Sequence, residues 1–205
     1  MSVNPEIFDP PKDLAKDHRR AVAERNIEEI LDAAERLLER RTQATVSAVA
    51  AEARLSRVTV YAHFPTREQL LEAVAERAVR RTTAALDEAG LDEGSAADAL
   101  DRALAVGWRA LGRYDAIAQA TAEQLTWDAR RRLHETAIGR VQDLVERGRK
   151  QGDFRTDLPT EWLVASSFAL IHAAGEEVRA GRLELAAAPQ VLRATMRALF
   201  LRWSQ

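Results

Sequence analysis

Apolar residues recur at intervals of three and four along most of the chain, and this helical period constrains the fold more than any other feature. Charged residues face away from the clearest apolar stripe, which consists of Ile27, Ile30, Leu31, Ala34, Leu37 and Leu38. Strand-like alternation is absent, and only nine of the 205 residues are glycine. We therefore expect an all-α fold of about nine helices.

Breaks between the helical segments divide the chain into four predicted parts. Residues 1–17 carry three of the six prolines and are expected to form a flexible arm. Residues 18–65 hold one long and two short helices, and residues 66–88 form a connecting helix that Thr66 caps. Residues 89–205 hold five further helices, at roughly 95–112, 115–125, 128–150, 160–180 and 187–203.

The composition excludes several kinds of protein. Because the chain has no cysteine, it has neither disulfides nor thiolate metal sites, which favours a cytoplasmic location. No apolar run approaches the roughly 20 residues of a membrane span, and the N-terminus lacks the pattern of a signal peptide. The net charge is −2, yet residues 12–81 hold 14 basic and 12 acidic side chains. Any binding of nucleic acid must therefore depend on well-placed contacts rather than on bulk charge.

The two short helices, expected at 46–53 and 57–64, need a partner in the fold, because helices of about eight residues are marginal alone. A helix-turn-helix provides one, since its second helix fits the major groove of DNA and is held by apolar residues on its back. Leu55, Val60 and Phe64 can form that back. The polar side chains that remain for the front are Arg57, Thr59, Tyr61 and His63.

The run from Thr45 to Leu71, TVSAVAAEARLSRVTVYAHFPTREQLL, resembles the signature of the TetR family of regulators. Its core is Thr-x-Tyr-x-His-Phe, followed by a basic residue and a Leu-Leu pair. The resemblance implies an N-terminal helix-turn-helix DNA-binding domain and a C-terminal helical domain for ligand binding and dimerisation. The implied partners are a double-stranded DNA operator, a small-molecule effector and a second copy of the chain. We expect no cofactor, metal, catalytic residue or membrane contact.

Carried over to this sequence, the resemblance implies two kinds of DNA contact. Ser47, Arg57 and Val58 would face base edges, and Arg57 suits guanine because arginine pairs bidentately with O6 and N7. Phosphate contacts set the register on DNA without reading its sequence. The side chains implied to make them are Thr45, Thr59, Tyr61, His63 and Arg67.

Arg54 stands where the family usually has glycine, in the turn between the two short helices. A left-handed backbone there favours glycine, and any other residue costs on the order of 1 kcal/mol. Two interpretations follow. Either Arg54 accepts that cost, for instance because its guanidinium reaches DNA, or the turn is built differently.

The C-terminal half contains all four tryptophans and the features expected of a sensor. A pocket for a small ligand is mostly apolar with few polar groups. The resemblance places such a pocket among Leu104, Trp108, Leu111, Trp127, Leu133, Ile138, Val141, Phe168 and His172. Aromatic residues at helical spacing also form ordinary cores, so both interpretations stay open for each of them.

The last two predicted helices carry small residues at helical spacing, which let helix backbones approach closely. Packing of both helices against their symmetry mates would form an isologous four-helix interface. The residues predicted for it are Trp162, Ala165, Ala169, Ala173, Val191, Thr195, Ala198 and Arg202. Burial of the same small residues within one chain is the alternative.

Two other classes of function remain as alternatives. A helical bundle can hold a di-metal enzyme site, which needs glutamate three residues before histidine. No histidine here has one, and the nucleophile elbow and phosphate-binding glycine loops are absent. A ligand-independent repressor or architectural protein would keep the DNA-binding half without a sensor cavity. An inducible repressor on a palindromic operator is the function that the resemblance favours.

Overall fold

A computed structural model describes residues 12–121 and 132–202 of the chain. These residues form eight helices: α1 (Lys12–Glu39), α2 (Val46–Ala53), α3 (Arg57–His63), α4 (Arg67–Asp87), α5 (Ala96–Thr121), α6 (Glu135–Gln151), α7 (Thr160–Arg179) and α8 (Ala188–Phe200). The described ranges contain no strand, and one antiparallel bridge joins Phe154 to Leu201. The all-α prediction is confirmed.

Two helix boundaries differ from the predicted ones. Residues 12–17, predicted as part of a flexible arm, belong to α1, which begins at Lys12. No helix breaker follows Pro11, and proline is compatible with a helix start. α5 continues through Gly112, where the sequence predicted a break. One glycine costs a helix only about 1 kcal/mol, and the buried side chains of Ile117 and Thr121 extend the inner face of α5 beyond it.

The chain divides into two compact units between Leu71 and Glu72. In the first unit, α1 packs on α2 and α2 packs on α3. Ile30 of α1, Val49 of α2 and Val60 of α3 are completely buried. These apolar contacts stabilise helices that are too short to persist alone.

The second unit is a bundle in which α5 packs against α6, α7 and α8. Its core joins aliphatic side chains of all four helices to two phenylalanines. Phe154 follows α6 and Phe200 ends α8, and their rings meet edge to face at 5.5 Å. The backbone bridge from Phe154 to Leu201 closes this end of the core.

The loop between α4 and α5 lies within the second unit, although its glycines and acids suggested a domain boundary near residue 89. Two arginines hold it through its backbone carbonyls. Arg102 donates to the carbonyls of Ala89, Gly90 and Glu93, and Arg147 donates to those of Leu91 and Gly94. Charge-assisted bonds of this kind are stronger than neutral ones, so they hold the loop firmly to α5 and α6. The division between the two units falls inside α4 instead.

Candidate nucleic-acid interface and ligand cavity

Thr45 positions the start of α2. Its backbone is extended, and its hydroxyl oxygen accepts a hydrogen bond of 3.2 Å from the backbone N–H of Ala48. This is the N-cap that the sequence predicted. Thr45 and Ser47 are both exposed at this end of α2, whereas Val46 between them is buried. The helix therefore holds two hydroxyl side chains at the surface.

Arg54 has φ +57° and ψ +33°, a left-handed conformation at the end of α2. Its N–H bonds the carbonyl of Ala51 at 3.2 Å, and the next N–H, of Leu55, bonds that of Ala50 at 2.9 Å. Of the two interpretations of this turn, the structure matches the first: the ordinary left-handed turn is kept, and arginine occupies it.

Ser56 starts α3 by accepting a 3.0 Å hydrogen bond from the N–H of Thr59. Val60 and Phe64 are buried on the back of the helix, as predicted. The front exposes Arg57, Val58 and Tyr61, of which Val58 is 78% and Tyr61 52% exposed. This short helix thus offers a cation, an apolar surface and a phenol to a partner.

The other side chains predicted to contact phosphates on α3 and α4 are less exposed. Thr59 is half-buried, and its hydroxyl shares a 2.8 Å hydrogen bond with the Ser56 hydroxyl. His63 ends α3 and Arg67 begins α4, and both are half-buried. Thr66 caps α4 by accepting a 3.2 Å hydrogen bond from the N–H of Gln69.

Glu52 ties α2 to α1 through two ion pairs. Its carboxylate lies 3.0 Å from Nε of Arg36 and 2.7 Å from Nη2 of Arg40. The hydrogen bonds from Arg36 and Arg40 lower the pKa of Glu52 below its ordinary value. These two arginines are therefore engaged within the protein, whereas the exposed Arg57 on α3 has no ion pair with another described residue.

The second unit contains a cavity of about 250 Å³. α4, α5, α6 and α7 all contribute to its mostly aliphatic walls. Six residues of the predicted pocket line it: Leu104, Leu111, Leu133, Val141, Phe168 and His172. The ring of His134, another wall residue, meets that of Phe168 edge to face at 6.0 Å.

Two other predicted pocket residues, Trp108 and Ile138, pack against the hydrophobic core and do not line the cavity. Each follows a wall residue, Gly107 on α5 and Ala137 on α6. Successive residues are about 100° apart around a helix, so these side chains turn away from the cavity. Trp127 lies outside the described residues.

The sequence did not predict the wall that α4 supplies, which consists of Ala75, Ala78, Val79, Thr82 and Leu86. The spacing of apolar residues on α4 is apparent in the sequence, but a helix face in a packed core and one in a cavity wall have the same spacing. Three wall hydroxyls are engaged by their own helices. Thr82, Thr121 and Ser167 donate to carbonyls four residues earlier at 2.8–2.9 Å.

A polar cluster in the cavity wall was also missed. Arg179 forms an ion pair with Asp115, whose other oxygen accepts a 2.6 Å hydrogen bond from Nε2 of Gln119. The lining also contains Tyr114, which precedes Asp115, and Glu176, which lies three residues before Arg179. Asp115 and Arg179 are 64 residues apart in the chain, so no local pattern indicates the pair.

The residues predicted for a dimer interface lie at the surface of α7, of α8 and of the segment after α8. Ala165 is half-buried and the other seven are exposed: Trp162, Ala169, Ala173, Val191, Thr195, Ala198 and Arg202. Trp162 is 59% exposed, which is unusual for so large an apolar side chain. Some neighbouring small residues pack within the chain instead, since Ala174 and Gly175 of α7 are buried.

No helix within the described ranges has both the length and the apolar character needed to cross a membrane.

Comparison with known proteins agrees with this geometry. Residues 30–74 match the family model for bacterial regulatory proteins of the tetR family. No curated protein matches the chain in sequence.

Solved structures share the fold at low sequence identity. A regulator from Saccharomonospora viridis, solved in complex with choline, has a TM-score of 0.72 and 20% identity, over 86% of this chain and 98% of that one. LfrR from Mycobacterium smegmatis, a TetR-like transcriptional regulator solved with proflavine, has a TM-score of 0.66 and 20% identity, over 88% and 98%. FadR from Bacillus halodurans, a fatty acid degradation regulator, has a TM-score of 0.69 and 18% identity, over 83% and 97%.

The matched residues 30–74 contain α2, its left-handed turn and α3, and the described residues share the fold of these solved structures. The helix-turn-helix segment of the chain therefore matches the tetR family of bacterial regulatory proteins, and the described residues share the fold of TetR-like transcription regulators.

Proposed function

We propose that this chain is a DNA-binding transcription regulator, a repressor that binds a palindromic operator as a homodimer in the cytoplasm and is released by a small molecule. The observation that carries this proposal is the cavity of about 250 Å³ in the second unit. Protein interiors are close-packed, and a void loses the contacts that filling atoms would make. A DNA-binding protein that senses nothing has no use for such a void, so the cavity favours an inducible repressor over a ligand-independent one.

The proposed effector is a mainly apolar organic molecule with a polar group. The hydroxyls of Thr82, Thr121 and Ser167 are engaged by their own helices and leave little polarity in those walls. Asp115 and Arg179 provide charge in another part of the lining. The choline and proflavine bound to the two related structures support a small organic ligand in a fold of this kind.

For DNA, we propose that Ser47, Arg57 and Val58 face base edges. The exposure of all three supports this role, because base readout needs side chains that reach into the major groove. The proposed phosphate contacts are Thr45, Thr59, Tyr61, His63 and Arg67. Tyr61 is the best supported of them, since its exposed phenol can donate to a phosphate oxygen.

The proposed dimer uses the exposed face of α7 and α8. Five large apolar side chains are exposed in the described residues: Val58, Tyr61, Trp162, Leu185 and Val191. Two of them lie on α3, where DNA would cover them, and the other three lie between the start of α7 and the first turns of α8. A second copy of the chain would cover Trp162 and Val191.

Release from DNA requires that the effector and the operator favour different states of the dimer. α4 carries a proposed phosphate contact, Arg67, and also wall residues of the cavity such as Ala78 and Leu86. We propose that effector binding shifts α4 and so misplaces the two recognition helices for successive major grooves. Effector and operator then weaken each other's binding by the same factor.

The first test is selection of binding sites from random and genomic DNA with the purified protein. We expect a near-palindrome with half-site centres about one helical turn apart. Arg57→Ala should cost roughly 1–3 kcal/mol of binding free energy and relax the preference at one base position. Tyr61→Phe should weaken binding to all sequences alike. A selection that enriches no motif would contradict the proposed operator.

The second test uses the selected operator and a compound that releases it, found by screening. The compound is titrated by calorimetry against the free protein and against the operator complex. The proposal requires that the compound binds the operator complex more weakly than the free protein, by the same factor by which the compound weakens operator binding. Equal affinity in both titrations rules out the switch.

A further inference from the structure

Positive φ angles are distributed unevenly between the two units. In the described residues of the second unit, every positive-φ position is a glycine: Gly90, Gly94, Gly152 and Gly181. In the part of the first unit that the structure describes, both such positions are arginine, Arg41 with φ +55° and Arg54 with φ +57°. Residues with a Cβ are strained in this region. Among the described residues, the left-handed turns of the second unit therefore hold glycine, and those of the first unit hold arginine.

Both arginines end a helix with the same pattern of hydrogen bonds. After α1, the N–H of Arg41 donates to the carbonyl of Leu38 at 2.8 Å, and the N–H of Thr42 donates to that of Leu37 at 2.9 Å. After α2, the N–H groups of Arg54 and Leu55 bond in the equivalent way. This motif requires a left-handed residue, for which glycine is the favoured choice. The turns therefore explain why the backbone is left-handed at these two positions, but they do not explain why arginine occupies them.

Contacts within the protein do not explain the arginines either. Both side chains are exposed, and among the described residues neither makes a hydrogen bond or an ion pair. The neighbouring arginines differ in this respect, because Arg36 and Arg40 both bind Glu52. Arg41 and Arg54 are thus available to bind an external anion.

Their positions in the helix-turn-helix indicate which anion. Arg41 lies four residues before Thr45, the cap of α2, and Arg54 lies two residues before Ser56, the cap of α3. In a helix-turn-helix the second helix enters the major groove, and arginine side chains around it bind backbone phosphates. Each arginine therefore lies within four residues of a side chain that is proposed to contact DNA, Arg41 near Thr45 and Arg54 near Arg57.

We infer that Arg41 and Arg54 bind backbone phosphates of duplex DNA and that the two strained turns keep arginine for this reason. The inference rests on DNA binding by the first unit. Strain at a site of function is a known pattern, in which the cost to folding is retained because the residue serves binding. It adds two cations to the contacts that the family resemblance implies.

The test compares Arg41→Gly and Arg54→Gly with the unchanged protein on a duplex of random sequence, so no operator is needed. Affinity is measured by fluorescence anisotropy over a range of salt concentrations, and Tm by circular dichroism. Each substitution should reduce the slope of log K against log salt by about 0.9 per protomer bound. It should also raise Tm by about 2–4 °C, because the strain is removed.

Two further variants serve as controls. Arg54→Lys retains the charge and the strained backbone, so its slope should match that of the unchanged protein. Arg109→Gln removes an exposed cation from α5, in the second unit, and should leave the slope unaltered. Gain in stability together with loss of DNA affinity is the combination that a purely structural role would not produce.

Three results would overturn the inference. An unaltered salt slope in both glycine variants would mean that neither arginine contacts phosphate. A fall in Tm would mean that the arginines stabilise the fold rather than strain it. If the unchanged protein shows no salt-dependent binding to duplex DNA, the proposed function fails together with the inference, whereas the first two results leave that function standing.

Discussion

Adding a methyl group at Gly148 on α6 should destabilise the second unit, although alanine forms helices better than glycine. A Cβ placed there would lie 2.3 Å from Cδ2 and 2.6 Å from Cγ of Phe154. Carbon atoms in favourable contact are about 3.5–4.0 Å apart. Gly148→Ala is therefore compatible with the fold only if the ring of Phe154 moves by about an ångström.

The surroundings of the ring resist that movement. Phe154 is completely buried and packs on Phe200, and its N–H donates to the carbonyl of Gly148 at 3.1 Å. The N–H of the next residue, Arg155, is bonded to the carbonyl of Phe200 at 2.9 Å. Overpacking of a core costs about 1–3 kcal/mol, against a gain of about 1 kcal/mol in helix propensity. The net loss is up to about 2 kcal/mol, equivalent to a fall in Tm of up to about 8 °C.

Gly139→Ala is the matched control, because it lies on the same helix and its Cβ would meet no atom within 4 Å. It should gain the helix propensity alone and raise Tm by about 2–4 °C. Both variants can be compared by calorimetry and urea unfolding. A similar rise in Tm for both would refute the packing described around Phe154. In a double-mutant cycle, Phe154→Leu should cost less in the alanine background than in the original one.

Three other substitutions test the cavity, the proposed dimer and the link between α1 and α2. Leu104→Trp should fill part of the cavity and block the effector while operator binding stays nearly intact; anisotropy with and without effector measures both, and loss of operator binding would count against separate sites. Ala169→Glu, a change on the exposed face of α7, should split the dimer in light scattering and reduce operator affinity, whereas Ala105→Glu on α5 should do neither; dimers in both would place the interface elsewhere. Glu52 has a lowered pKa, so its ion pairs stabilise the fold at pH values above its ordinary pKa and this contribution is lost as the pH falls through the lowered one. The difference in Tm between the unchanged protein and Glu52→Gln should therefore shrink on acidification, and a difference that is constant with pH would contradict it.

Features that depend on a few neighbouring residues could be predicted from the sequence. The helical period placed the helices, and Thr45 and Ser56 marked the starts of α2 and α3 because an N-cap bonds an amide only three residues away. The family signature lies in the same short stretch. The conformation of the turn at Arg54 could not be predicted. A left-handed backbone is costly for arginine, yet a helix that ends in this way favours a left-handed residue.

Features that depend on distant residues emerged only when the helices were packed. Trp108 and Gly107 are neighbours in sequence, yet only Gly107 faces the cavity, because the rotation of α5 is set by its contacts with α6, α7 and α8. Gly112 did not interrupt α5, since burial of Ile117 and Thr121 outweighs the cost of one glycine. The pair of Asp115 and Arg179 joins residues 64 positions apart. Such contacts follow from how the helices meet in space, which the spacing of residues along one helix does not contain.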